Sequence, residues 1–277
     1  MDKQITMVET LLASCNARFI NDRHGKSCNK CTYAGHCPDA YNACERCLEL
    51  VHFPSRTTKG APIRKYDCTC MADFYVCKYT HKYVSELIHI FSRLKDLKPK
   101  ENIKILSFGC GPCTDLLALN YLCEMREYNY KTLEYHGIDY NKDVWGNIHG
   151  DIKCMQPSGN EIKFFYEDAR TIVDKIAGGK WVPDLVVFQY FFSDMNKNSE
   201  SGEISSFVSK FAHYANSKMP INSYIVMNDI NLSTSYGGGR EYFDKLLTMM
   251  NNANHVKGHF HNKTRPKTYG YGSKYDN

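Results

Sequence analysis

Nine of the chain's 13 cysteines fall within its first 77 residues, and four of them make two pairs, Cys28-x2-Cys31 and Cys44-x2-Cys47. A CxxC turn lets two thiolates face one ion, and a second such pair completes a tetrahedral shell. Cys37 lies between the pairs, and His52, Cys68, Cys70 and Cys77 follow them, enough donors for a second ion. Cys77, in FYVCKY, fits an apolar packing position equally well. A metal set of Cys28, Cys31, Cys37, Cys44, Cys47, Cys68 and Cys70 is therefore expected, with zinc the default occupant. A four-cysteine iron–sulfur cluster is the less favoured alternative.

A second chemical pattern is ILSFGCGPCTDLLAL, residues 105–119. A short apolar strand runs into Gly109 and Gly111, and a helical pattern opens immediately afterwards. Gly109 can adopt turn conformations denied to other residues, and Gly111 admits a ligand close to the backbone. The first N–H groups of the following helix point into the same crevice. A plain structural turn would also use two such glycines. The absence of a third glycine argues against a pyrophosphate ligand.

Those residues need a scaffold, and the rest of the chain supplies a pattern for one. The 277 residues carry 35 Lys+Arg against 30 Asp+Glu, a net charge of +5, with 43% hydrophobic and 23% charged residues. That balance excludes disordered and collagen-like classes and permits, without requiring, an anionic partner. No apolar run approaches the roughly 18 residues of a membrane span. The first residues do not read as a secretion signal, so a reducing, cytoplasmic setting is expected, where cysteine clusters bind metal more often than they pair.

Composition changes near residue 80, which predicts a Cys-rich module over 1–80 and a larger domain over 81–277. In the latter, a helix over Tyr83–Leu97 precedes strands at Ile103–Phe108, Thr132–Tyr140, Ile162–Ala169, Asp184–Phe192 and Ser223–Ile230. Helical patterns separate them, and two short segments near Val256–His261 and Lys267–Gly272 close the chain as a candidate antiparallel edge. Strands alternating with helices predict an α/β fold, a mostly parallel sheet with helices on both faces. Consecutive strand ends carry Asp139, suited to a ribose diol, then Asp168 with Ala169, then Gln189 and Tyr190. Carboxylates at ordered strand ends lie where such sheets bind ligands.

With these segments the chain resembles the class I S-adenosylmethionine-dependent methyltransferases. ILSFGCGPCTD matches the glycine-rich motif, HGIDYN the ribose motif, FFYEDA the adenine motif and VVFQYFFSDM the fourth-strand segment, over about residues 81 to 277. The resemblance implies a Rossmann-like, seven-stranded sheet and S-adenosylmethionine as cofactor. It implies contacts from Ser107, Phe108, Gly109, Cys110, Gly111 and Asp115, from Asp139 and Tyr140, from Asp168 and Ala169, and from Gln189. Two departures stand out: Ser107 replaces the family's usual acidic residue, and 30 residues separate Gly109 from Asp139.

Methyl transfer needs alignment and exclusion of water more than covalent help. Tyr190 and Asp194, with Asp229 beside them in sequence pattern, are the polar groups expected nearest the transferred methyl, although each also suits a structural hydrogen bond. The Asn/Asp-Pro-Pro-Tyr/Phe tetrad of exocyclic adenine methylation is absent, as is the Pro-Cys or Thr-Cys pair of a covalent pyrimidine mechanism. Arg56, Lys59, Arg64, Lys65 and the C-terminal HVKGHFHNKTRPKTYGYGSKY interleave cations with aromatics, which suits RNA or a solvated face. RNA is the expected substrate. A small molecule or protein substrate, or a protein that holds S-adenosylmethionine without turnover, are the alternatives.

Overall fold

The computed structural model describes residues 6–22, 43–57, 59, 63–251, 253–261 and 274–276. Helices α1 (Met7–Asp22), α2 (Ala43–His52) and α3 (Thr69–Phe91) come first. Strands and helices then alternate: β1 (Asn102–Phe108), α4 (Thr114–Glu124), β2 (Thr132–Ile138), α5 (Lys142–Met155), β3 (Glu161–Phe165), α6 (Ala169–Gly178) and β4 (Leu185–Gln189). Then come α7 (Phe191–Asn198), α8 (Ser201–Lys218), β5 (Tyr224–Asn228), α9 (Arg240–Met249), β6 (His259–His261) and β7 (Lys274–Asp276).

Five strands make one parallel sheet in the order β3-β2-β1-β4-β5. The chain leaves β1 in one direction through β2 and β3, then returns to the other side of β1 as β4. The C-terminal ends of β1 and β4 therefore flank the switch point, where the loops diverge and leave a crevice.

Period-two side-chain alternation divides the core. On β1 and β4, Ile103, Ile105, Leu185 and Val187 face one layer, with Val76, Leu87 and Phe91 of α3 and Leu116 of α4. Leu106, Phe108, Val186 and Phe188 face the other, with Phe207 and Phe211 of α8. Strands covered on both faces read as continuous apolar runs, as ILSF and LVVF do. Local capping fixes the helix starts: Asn141 accepts from Val144 N at 3.2 Å, and Glu200 and Glu203 form a reciprocal capping box on α8.

Several expectations need correction. Among the described residues the sheet has five strands, not seven: β6 and β7 pair with each other as a separate antiparallel ribbon and do not extend it, and the expected segment Lys267–Gly272 lies outside the described residues. The first helix before β1 is Thr69–Phe91, not Tyr83–Leu97, because Cys70, Met71, Ala72 and Thr80 occupy buried helical positions that a hydrophobic count undervalues. The fourth strand stops at Gln189. Tyr190 takes a left-handed φ of 54°, and Phe191 and Phe192, strand-like by type, open α7 instead.

Residue 80, where composition changes, lies inside α3. Val8 and Leu11 of α1 join the same apolar layer as α3, α4 and α5, so the described part of residues 1–80 packs directly on the sheet unit. Cys44, Cys47, Cys68 and Cys70 gather in a smaller cluster with Phe19, Leu48, Val51 and Met71. Cys28, Cys31 and Cys37 lie outside the described residues, as does most of the basic C-terminal segment. Among the described residues no helix is long and apolar enough to cross a membrane.

Candidate functional site

A cavity of about 540 Å³ opens over the C-terminal ends of β1, β2 and β4, a volume usual for small-ligand sites. One half is built by the glycine loop. Gly109 has φ +61°, and a Cβ there would come 2.9 Å from the Phe191 ring, so both backbone and space exclude a side chain. Cys110 N–H donates to Ile138 O at 3.0 Å, tying the loop to β2. Gly111 N–H donates to Asp139 Oδ2 at 3.1 Å, and Asn141 N–H donates to Asp139 Oδ1 at 3.3 Å. Asp139 is thus buried and aimed by two backbone donors, with a lone pair left on each oxygen. Burial holds its pKa above the ordinary carboxylate value.

Ser107 and Asp115 meet one turn further in. Asp115 Oδ1 accepts from Leu116 N–H at 2.9 Å and from Tyr135 Oη at 3.0 Å, and burial raises the Asp115 pKa against the opposing pull of the nearby Ser107 hydroxyl. Asp115 Oδ2 is buried with no hydrogen-bond partner among the described residues, at the cavity wall. An acid thus stands beside Ser107 on the first turn of α4. An unsatisfied buried carboxylate oxygen costs several kcal/mol unless a ligand donor or cation meets it, on the order of 1–3 kcal/mol for the lost bond alone.

The remaining expected residues separate into three groups. Tyr140, at 54% exposure, and Ala169 line the cavity and leave a face open to a ligand. Asp168 and Gln189 also line it but are already engaged. Asp168 caps α6 through Arg170 N–H at 2.8 Å and pairs with the Arg170 guanidinium, which holds its pKa below the usual range. Gln189 accepts from the Thr114 hydroxyl and donates to Tyr83 O at 3.0 Å, joining β4 to α4 and α3. Phe108 differs from expectation, because its ring points to the opposite layer and stacks on Phe188 at 5.0 Å. Only its backbone can serve the loop.

The other half of the cavity is aromatic. Tyr75, Tyr79 and Tyr83 recur every four residues along α3 and form a stripe with Tyr66, Trp145 and Tyr190 around it. Tyr83 lies 4.3 Å from Tyr190 between ring centroids. The Tyr190 hydroxyl donates to Glu86 (3.0 Å to Oε2), whose Oε2 also accepts from Asn228 Nδ2 at 2.8 Å. Burial drives the Glu86 pKa up. His52 Nε2 bonds the Tyr66 hydroxyl at 2.9 Å, and burial pulls the histidine down to about 4, so its ring is neutral at pH 7.

Asp194 and Lys197, one turn apart on α7, close the polar end of this half. Burial lifts the Asp194 carboxyl to about 6, with Lys197 opposing and Asp139 and Asp229 adding to the rise. Burial likewise lowers the Lys197 ammonium. Asp229 serves structure: its Oδ2 accepts from Ser193 N–H at 2.8 Å and its Oδ1 from Ile230 N–H at 2.7 Å, fixing the start of α7. Sequence reasoning missed Tyr66, Tyr75, Tyr79, Tyr83, Glu86 and Lys197. The available signal was the four-residue tyrosine spacing, hidden once the helix was begun at Tyr83.

Cys110, Cys113 and His149 place their ligand atoms within 4.8 Å of one another, buried behind the glycine loop. His149 Nε2 is 2.7 Å from Gly111 O, and a carbonyl only accepts, so this nitrogen carries the hydrogen. Nδ1 faces the Tyr166 hydroxyl at 3.0 Å. Neither nitrogen offers a free lone pair, and the trio does not fit a metal ion as arranged.

No protein-family model and no curated protein matches the chain. Among solved structures it is similar to SAM-bound CalS10, an amino pentose methyltransferase from Micromonospora echinaspora involved in calicheamicin biosynthesis (14% identity, TM-score 0.38, 56% of each chain). It is also similar to DesVI from Streptomyces venezuelae (16%, 0.34, 56% of this chain and 54% of that one). A third is the plantazolicin methyltransferase BpumL in complex with SAH (14%, 0.42, 74% and 76%). The chain spans just over half the length of the first two.

Proposed function

We propose that the protein is an S-adenosylmethionine-dependent methyltransferase acting on a small molecule. The observation that carries the reading is the pairing, in one crevice, of the backbone-aimed Asp139 with the unpartnered Asp115 Oδ2 across the glycine loop. A sulfonium nucleoside bearing an amino acid presents two donors of the matching kind: a ribose diol for Asp139 and an ammonium for Asp115. Gly109 and Gly111 let its chain lie against the backbone, and Ala169 and Tyr140 flank its base. The cofactor supplies a methyl group already bonded to a good leaving group.

The chain's own residues then hold and desolvate the acceptor. Tyr79, Tyr83 and Tyr190 offer ring faces to a planar or apolar body, and Glu86 fixes the Tyr190 hydroxyl. The Asp194 carboxylate, with its pKa of about 6, takes up the acceptor's proton. A crevice of about 540 Å³ walled by tyrosines suits a small molecule better than an RNA strand. Labelled S-adenosylmethionine incubated with a small-molecule extract and with total RNA tests this, with label expected in the small-molecule fraction. Label confined to RNA would reverse the substrate assignment.

We infer a zinc ion in this region from the CxxC spacing of the sequence; Cys44, Cys47, Cys68 and Cys70 pack in one apolar cluster, and among the described residues they form no ligand-spaced group by themselves. Metal analysis of the purified protein is expected to return at least one zinc per chain; iron with a visible charge-transfer band would point to a cluster instead.

A further inference from the structure

The turn that shapes the glycine loop ends in two thiols. Cys113 N–H donates to Cys110 O at 2.7 Å, closing a four-residue turn. Such turns hold their end Cα atoms within about 7 Å, and disulfides bridge roughly 4.4–6.8 Å. Both sulfurs and a His149 nitrogen lie within 4.8 Å of one another. The Cys110 sulfur fits beneath β2 only because residue 137 is glycine; a Cβ there would sit 2.9 Å from it. Cys110 lines the cavity, whereas Cys113 is fully buried behind it. Cys110 Sγ lies 3.8 Å from His149 Nε2, and the Cys113 thiol donates to Gly111 O at 3.7 Å. Burial pushes the Cys110 thiol well up, while the nearby Cys110 and His149 groups bring Cys113 down, so within the pair the proton rests on Cys110 and the thiolate character on Cys113.

We propose that Cys110 and Cys113 are a reversible oxidation site, a dithiol that hydrogen peroxide converts to a disulfide, and that the bridged loop loses affinity for its adenosyl ligand. The first half stands on geometry alone, and the second rests on the proposed cofactor. In the chemistry, one sulfur of the pair attacks one peroxide oxygen, the O–O bond breaks, and water leaves with the thiol proton, giving a sulfenic acid. The other sulfur then attacks the sulfenic sulfur, the S–O bond breaks, and a second water leaves with the second thiol proton. Two thiols and one peroxide become one disulfide and two waters. The bridge draws the sulfurs to about 2.05 Å, and Gly111 lies between them. Its N–H positions Asp139 and its carbonyl accepts from His149, so bridging displaces both.

The test uses the reduced full chain. After peroxide, blocking with N-ethylmaleimide and trypsin, the peptide 105–126 carries Cys110, Cys113 and Cys123. One blocked cysteine, Cys123, is expected, with no fragmentation between 110 and 113, reversed by dithiothreitol. Bound S-adenosylhomocysteine is expected to slow bridging, because it covers Cys110. Calorimetry with S-adenosylhomocysteine should show at least tenfold weaker uptake after oxidation, restored by reduction. Cys113→Ser should abolish the effect, and Cys154→Ser, at an exposed thiol, should preserve it. Three blocked cysteines in that peptide, at peroxide levels that oxidise Cys154, would overturn the dithiol. A bridge with unchanged uptake would overturn its effect on binding. If reduced protein takes up no ligand, the cofactor reading fails while the peptide map still judges the bridge.

Discussion

The two halves of the cavity are built on different physical terms. The glycine-loop half is made from strand ends, where backbone N–H groups of Cys110, Gly111 and Asn141 set every distance and side chains have little freedom. The tyrosine half is made from one helix face and a loop, where rings from α3 pack on one another and on Tyr190. A site held by backbone tolerates no substitution at its few polar residues. A site held by ring packing can change shape without losing the fold. That difference suits a constant cofactor in the first half and a chosen substrate in the second.

The largest effect should come from breaking the first half. Asp139→Ala removes the proposed ribose acceptor and releases Gly111 N–H and Asn141 N–H together. S-adenosylhomocysteine affinity is expected to fall about 100-fold, roughly 2.7 kcal/mol, by titration calorimetry on protein with unchanged circular dichroism. A change of less than threefold would separate Asp139 from the ligand.

A middling effect belongs to the tyrosine half. Tyr79→Ala enlarges the acceptor side without touching the loop. KM for the acceptor should rise about tenfold while S-adenosylhomocysteine affinity stays within twofold, because only binding outside the cofactor is lost. Equal losses in both would merge the two halves into one unit and remove the contrast.

The smallest effect is a stability change with a defined sign. The Asp194 carboxyl ionises at about 6 in the folded protein and at about 3.9 when unfolded. The folded state therefore binds its proton more tightly, and ionisation costs stability above pH 6. Stability should increase as pH falls from 6 towards 4, as far as this residue decides it. Asp194→Asn should add about 1 kcal/mol at pH 7.5 in urea unfolding, a figure well below the full shift because the residue keeps some solvent contact. The gain should vanish near pH 4. The same variant should lower kcat, since its amide takes no proton.

The contrast also explains what was legible in the sequence. Strand ends announce themselves: ILSFGCG couples an apolar run to glycines, and GIDYN places its acid one residue beyond β2. Asp139, Gly109 and Gly111 are found where that grammar puts them. The count of strands failed because β6 and β7 are short segments whose partner is set by tertiary contact, not by local pattern. Phe108 was misplaced by its neighbours, since alternation along β1 sends it to the layer opposite Ser107. The tyrosine wall was illegible for another reason. Tyr75 and Tyr79 precede the helix expected from Tyr83, and only the packing of α3 over the switch point turns its tyrosine face into a wall. Asp115 shows the intermediate case, visible as a helix first-turn acid, while its place beside Ser107 at the cavity wall is set only in three dimensions.

The central claim is that the crevice over β1 and β2 holds an adenosyl sulfonium through Asp139 and Asp115. Titration calorimetry of reduced, metal-replete protein with S-adenosylhomocysteine tests it most directly. One site per chain with a dissociation constant on the order of 1–50 μM, or about −8 to −6 kcal/mol, is the predicted result. Absence of binding heat at millimolar ligand, confirmed by an unchanged melting temperature, would contradict it.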